Sequence, residues 1–156
     1  MRAELLCALF SSVATVAGLT AHSQPSPTLK PIDVVEAQLS ALKDGNVERC
    51  FAFASPMNKR STGPWQHFEM MVRQTPAYAP LVSMSSFEVV SGLALGDNKW
   101  RCRVCVRPAG SSSMPFALPS GSILFYDWCL SQQTEEAVRG CWMVDSVMPD
   151  MAPPGD

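Results

Sequence analysis

Residues 31–78 read PIDVVEAQLSALKDGNVERCFAFASPMNKRSTGPWQHFEMMVRQTPAY, and this stretch decides the fold. Pro31 suits a first helical turn, where its missing N–H is not needed. Asp33 and Glu36 lie where the helix dipole favours negative charge. Ile32, Val35, Leu39 and Leu42 follow the three-four-three spacing of one helical face. Gly45 ends this helix, and Asn46 caps the next by accepting a backbone N–H. Val47, Cys50, Phe51 and Ala54 form the second buried stripe. Ser55-Pro56 reads as a stop and Asn58–Gly63 as a polar turn. Pro64 then opens a third helix with Trp65, Phe68, Met71 and Val72 on one side. Pro76 and Pro80 close the helical half.

Beyond Tyr78 the period changes from 3.6 to 2, the sign of strands. Phe87, Val89, Ser91 and Leu93 alternate with Glu88, Val90, Gly92 and Ala94, and Gly96-Asp97-Asn98 reads as a hairpin turn. In the next strand Trp100, Cys102, Val104 and Val106 share one face. Arg101, Arg103, Cys105 and Arg107 share the other. Pro108–Gly121 reads as a loop rich in Ser, Pro and Gly. A strand over 122–132 sets Leu124, Tyr126, Trp128 and Leu130 against Ile123, Phe125, Asp127 and Cys129. A last strand carries Trp142 and Val144 inward. The expected fold class is α+β, with three N-terminal helices packed on a curved antiparallel sheet of four or more strands.

The ends read differently. Residues 1–23 fit a secretory signal: Arg2, an apolar run from Leu5 to Ala21, then small residues at Ala21 and Ser23. A membrane anchor over residues 5–21 and a plastid transit peptide are the alternatives. Residues 24–30 read as an extended Pro-rich linker, residues 31–148 as one domain, and residues 149–156 as a disordered tail.

Composition narrows the function. The chain has 156 residues, 47% of them hydrophobic, and a formal net charge of −2. That size fits one domain plus an extension. Without a basic run there is no electrostatic drive toward nucleic acid, and no membrane contact is expected of the mature form. Six cysteines, one of them Cys7 in the leader, leave an odd number behind it.

The motif order Phe53-Ala54-Ser55-Pro56, Phe68 with Met71-Val72-Arg73, Tyr78, Tyr126 and the Trp142 strand resembles the family called domain of unknown function 4864. The resemblance runs from about Pro31 to Met148. It implies a nuclear transport factor 2-like fold, with helices packed into a cone-shaped antiparallel sheet. It implies no activity and no catalytic residues. Two departures stand out. The superfamily has a strand pair between its second and third helices, where Met57–Gly63 is short, and the Pro108–Gly121 segment is long.

The candidate chemistry is sparse. Only His22 and His67 are present. With His22 beside the expected cut, a lone His67 has no second histidine to share a metal. Cys102 and Cys105 stand three apart on a strand and so point to opposite faces. If the last hairpin turns near Glu135, Trp128 faces Trp142 and Cys129 faces Cys141. A disulfide or redox pair is then open to those two thiols, although directly opposed strand positions are wide for one. Asp127 and Asp145 alternate out of step with the tryptophans. Both are therefore expected to face away from the helices, Asp127 toward Arg101 or Arg103.

The expected lining of a pocket under the helices is Trp65, Phe68, Tyr78, Trp100, Tyr126, Trp128 and Trp142, with Tyr78 or Tyr126 supplying an orienting hydroxyl. No metal site, cofactor or catalytic residue is expected. The leading reading is an exported module that binds a small apolar ligand or pairs through its sheet as a homodimer. The alternative is a cofactor-free isomerase or dehydratase of the ketosteroid-isomerase type, using a pocket carboxylate and a Tyr.

Overall fold

Ser55 and Pro56 start a helix where a stop was expected. The Ser55 hydroxyl accepts the Asn58 backbone N–H at 3.2 Å, and Pro56 takes the first helical position. Gly63, at a φ of 77° that disfavours residues with a Cβ, ends this turn of chain. The computed structural model describes residues 24–110, 118–119 and 121–150. The expected signal over 1–23, most of the Pro108–Gly121 loop and residues 151–156 therefore lie outside the described residues.

Among the described residues, four α-helices precede the strands: α1 (Pro31–Lys43), α2 (Val47–Ala52), α3 (Pro56–Thr62) and α4 (Trp65–Gln74). A short 3-10 helix, Ala79–Val82, leads into the sheet. Asn46 caps α2 as expected, its Oδ1 accepting from the Arg49 N–H at 3.0 Å. α1 buries more than one stripe: Val34, Val35, Ala37, Gln38, Leu39, Ala41 and Leu42 are all buried, while Ile32 is exposed. Leu29, placed by sequence in a linker, is 6% exposed and belongs to the core.

The sheet holds β1 (Met84–Ala94), β2 (Lys99–Pro108), β3 (Leu124–Gln132) and β4 (Trp142–Pro149) in the order β1-β2-β3-β4, each neighbour antiparallel. It is open, with four strands. Val104, Val106, Tyr126, Trp128 and Leu130 turn one face into the core against α1 and α2. A buried aliphatic or aromatic side chain contributes about 1.5–3 kcal/mol over an exposed one, so this face carries much of the stability.

Two departures from simple alternation matter. In β1 the register shifts between Val89 and Ser91. Phe87 and Val89 pair with Val106 and Val104 on the inner face, but Gly92 then takes the inner position and Leu93 turns outward, 62% exposed. Gly92 is required there, because a Cβ would meet Trp100 at 2.4 Å. In β4 the register shifts again. Cys129 pairs with Ser146 and Leu130 with Val144, leaving Asp145 as the extra residue of a β-bulge. At the far end, Pro149 belongs to β4 and the Asp150 N–H donates to the Phe125 carbonyl, so the ordered chain runs past the expected tail boundary.

The last hairpin also turns later than expected. A 3-10 turn at Glu136–Val138 sets Gln133 opposite Cys141 through the Gln133 N–H to Cys141 carbonyl bond of 2.9 Å. Trp128 is accordingly opposite Val147 and Gln132 opposite Trp142. Cys141 stands four residues along the strand from the level of Cys129, about 13 Å at strand rise, so the expected pairing of these thiols does not form. Both are free, as are Cys50, Cys102 and Cys105.

The segment Phe53–Ser55 lies along β4. Ala54 forms a parallel bridge with Val144, the Val144 N–H donates to the Phe53 carbonyl, and the Ser55 N–H donates to the Val144 carbonyl at 2.8 Å. Asn58 adds an Nδ2–H bond of 3.1 Å to the same carbonyl. This closes part of the β4 edge, which would otherwise offer unpaired backbone groups.

Candidate functional site

A cavity of about 250 Å³ lies between the helices and the β3–β4 half of the sheet. α1 and α2 supply Gln38, Leu42 and Cys50 to its wall. α3 and α4 supply Asn58, Thr62, Phe68, Met71 and Val72. Tyr78 and Leu81 come from the segment before β1, and Trp128 with residues 144–148 from the sheet. The wall is mainly apolar. Exposed Met71 and Met148 mark where it meets solvent.

Each element presents these groups for a local reason. Gln38 falls on the buried face of α1, between Ala37 and Leu39, and is 4% exposed. Its Oε1 accepts the Trp128 Nε1–H at 2.9 Å, and its Nε2–H donates to the Cys50 carbonyl at 3.0 Å. One amide thus ties α1 to α2 and to β3, and it satisfies the indole N–H inside the core. Phe68 packs on Phe51 with ring centroids 5.2 Å apart. The Thr62 hydroxyl donates to the Asn58 carbonyl at 2.9 Å. The Tyr78 hydroxyl donates to the Val147 carbonyl at 3.1 Å. Burial raises the Tyr78 pKa above its ordinary value, so the ring is a neutral phenol.

Of the seven aromatic residues expected to line a pocket, Phe68, Tyr78 and Trp128 are on the wall. The others are placed elsewhere. Tyr126 is in the core, edge-on to Trp128 at 6.2 Å, with its hydroxyl donating to the Ala77 carbonyl at 2.8 Å. Burial raises its pKa, with a smaller push from Tyr78. Trp100 covers Gly92. Trp142 packs against the rim of the core. Trp65, in the first turn of α4, is half-buried and off the wall.

Sequence reasoning missed Gln38, Asn58, Thr62 and Asp145. Gln38 was detectable as a polar residue inside an apolar helical stripe. The two on α3 were hidden by reading that helix as a turn. Asp145 was expected to face away from the helices; as the extra residue of the bulge it leaves the strand's alternation and borders the cavity. Asp127 does lie on the outer face. It pairs with Arg101 at 2.6 Å and Arg103 at 3.9 Å, and Arg103 also pairs with Asp150. Among the described residues, Asp145 forms no hydrogen bond or ion pair.

The remaining candidates are quiet. His67 is exposed, and its Nδ1 shares a hydrogen bond of 2.8 Å with the Thr62 carbonyl, closing the end of α3. Cys102 and Cys105 are both buried and point to opposite faces as expected, one opposite Trp128 on the inner face and one opposite Phe125 on the outer. Burial pushes the Cys50 and Cys102 thiols up to about 12, which leaves almost no thiolate for nucleophilic work at neutral pH. Among the described residues, no three His, Cys, Asp or Glu side chains converge as a metal-binding group. No helix among them is long and apolar enough to cross a membrane.

The fold and cavity together define a class: an α+β protein whose helices cover one face of an open, four-stranded antiparallel sheet. The model of the family "Domain of unknown function (DUF4864)" matches residues 26–112, more than half of the chain, and the protein belongs to that family. No curated protein and no solved structure gives a significant match. The family match takes in α1 to α4, the 3-10 helix before the sheet, β1 and β2. Trp128 and the β4 residues of the wall lie beyond it.

Proposed function

We propose that this protein is a small-ligand-binding module without a catalytic step, built on a variant of the nuclear transport factor 2-like fold. The observation that carries this reading is the apolar cavity of about 250 Å³ between helices and sheet. It is smaller than the usual 300–1,000 Å³ of drug-sized pockets. At the volume of a liquid water molecule it holds about eight such units, the body of a compact ligand. Mass spectrometry of the protein isolated under native conditions tests this. The expected result is one small molecule, retained by the native protein and released on unfolding. A protein that never carries or takes up any small apolar compound would sink the reading.

The alternative, a cofactor-free isomerase or dehydratase, draws support from one observation: Asp145 and Tyr78 line the same cavity. On that reading Asp145 takes a proton from a substrate carbon and Tyr78 orients an oxygen. The Tyr78 hydrogen is committed to the Val147 carbonyl, which favours the binding reading. Incubating the bound molecule with the protein in heavy water separates the two. Deuterium entering a C–H position, and failing to enter with Asp145→Asn, would make it an enzyme.

We place the mature protein outside the cytoplasm, on the reading of residues 1–23, and N-terminal sequencing of the exported chain checks the cut. A homodimer formed through the sheet is supported by exposed Val90 and Leu93 on β1 (53% and 62%). A monomeric mass at micromolar concentration would remove it.

A further inference from the structure

We infer that the cavity takes a small protonated amine, with its ammonium group set toward Asp145 and its hydrocarbon body against Phe68, Val72 and Trp128. The inference rests on reading the cavity as a ligand site, and it names the class of ligand.

The cavity wall is richer in free acceptors than in free donors. The strong side-chain donors on the wall are already committed to the protein. One Gln38 amide hydrogen goes to Cys50, one Asn58 amide hydrogen to Val144, the Thr62 hydroxyl to Asn58 and the Tyr78 hydroxyl to Val147, each to a backbone carbonyl. The Trp128 N–H goes to Gln38. Ser146 pairs with Cys129, on the outward-facing side of the sheet. Beyond the second amide hydrogens of Gln38 and Asn58 and the Ser146 hydroxyl, what the side chains offer is mostly lone pairs. They belong to the Thr62 and Tyr78 hydroxyl oxygens, the Asn58 side-chain carbonyl and the Asp145 carboxylate, an acceptor-only group when ionised. Among the described residues, no Lys, Arg or His belongs to the wall, and Asp145 is its one formal charge.

Such a wall is matched by a ligand that brings its own donors and a positive charge. An anionic ligand would meet a carboxylate and no counter-charge. A neutral hydrocarbon would leave the carboxylate lined up with nothing. An ammonium supplies donors and a charge, and its hydrogen bonds to a carboxylate are charge-assisted, roughly twice as strong as neutral ones. The bulge makes this possible, since bulges commonly re-aim a side chain toward a site.

The test is calorimetric titration of the full-length chain with benzylammonium, benzyl alcohol and benzoate at neutral pH, three probes of one shape and different charge. Benzylammonium is expected to bind about tenfold or more tightly than benzyl alcohol, the ratio for one charge-assisted bond replacing a neutral one, and benzoate least. With Asp145→Asn, benzylammonium should fall to the level of benzyl alcohol while the alcohol is unchanged. Equal binding of amine and alcohol, tighter binding of benzoate, or an amine preference that survives in Asp145→Asn overturns the amine inference and leaves the cavity as a ligand site. Failure of all three probes to bind overturns both.

Discussion

The outer face of the sheet around Asp127 and the cavity wall around Asp145 hold the same chemical group in opposite circumstances. Asp127 is met by Arg101 and Arg103 across the strands, and Arg103 also lies over the Phe125 ring at 4.9 Å. Asp145 borders a mainly apolar cavity, with no charge of opposite sign among the described residues of its wall. The pattern that puts Asp127 out would put Asp145 out as well. One extra residue in β4 separates them. A carboxylate's position on a regular strand decides its face, and a bulge changes that decision without changing the residue.

The contrast can be broken most severely from the inner side. Trp128 is 0% exposed, so Trp128→Ala should lower stability by about 3–5 kcal/mol, the range for an aromatic truncated in a core. Urea unfolding followed by circular dichroism reads it. A loss below 1 kcal/mol would mean that the inner face is not the packed one. Next in size is Gln38→Leu, which leaves the Trp128 N–H without a partner and the Cys50 carbonyl with the Phe53 N–H alone. The expected cost is about 1–3 kcal/mol, and a variant as stable as wild type would show that the amide is not the tie between α1, α2 and β3.

Alkaline pH probes the same face. Cys50 and Cys102 ionise near 9.0 in the unfolded chain and near 12 when folded, because burial disfavours the thiolate. Between those values the unfolded state has lost protons that the folded state keeps. Stability is therefore intact below pH 9 and falls as pH rises through that window. The raised Tyr78 and Tyr126 add in the same direction. A melting temperature flat from pH 8 to about 11 would contradict this. Smallest is the outer face. Asp127→Asn should cause a minor loss that shrinks as salt is raised, as exposed pairs do. Asp145→Asn, having no partner among the described residues, should leave the melting temperature in place. If the two variants respond alike in low and high salt, the distinction between the faces fails.

Much of the fold was legible. Pro31, Gly45 and Asn46 mark the ends of α1 and α2 because each has a backbone or side-chain property that one end of a helix needs. The inner face of β2 followed from strict alternation, Cys102, Val104 and Val106 against Arg101, Arg103 and Arg107. The errors share one cause: a local signal with two meanings. Proline before a polar run can close one helix or open the next, and at Pro56 it opens one. Period two survives only until a bulge, so Leu93 and Asp145 changed faces. The last hairpin turned two residues later than read, which was enough to part Cys129 from Cys141. The site was less legible than the fold. Its wall combines polar residues from α1 and α3 with a bulge in β4, and only the tertiary structure brings these together.

The bridge that joins Ala54 to Val144 has a consequence for how the protein is made. Asn58 and the carbonyl it holds are 86 residues apart in sequence. At roughly 5–20 residues per second of synthesis, the helices wait about 4–17 s for the strand that completes them. Through that interval the Phe53 carbonyl and the Ser55 amide lack their final partners, and the apolar face of α1 has no finished sheet beneath it. Until its last strand emerges, the nascent chain exposes these groups to solvent and to any holding chaperones. A chain cut short before Val144 should stay in their care and never reach the folded pool.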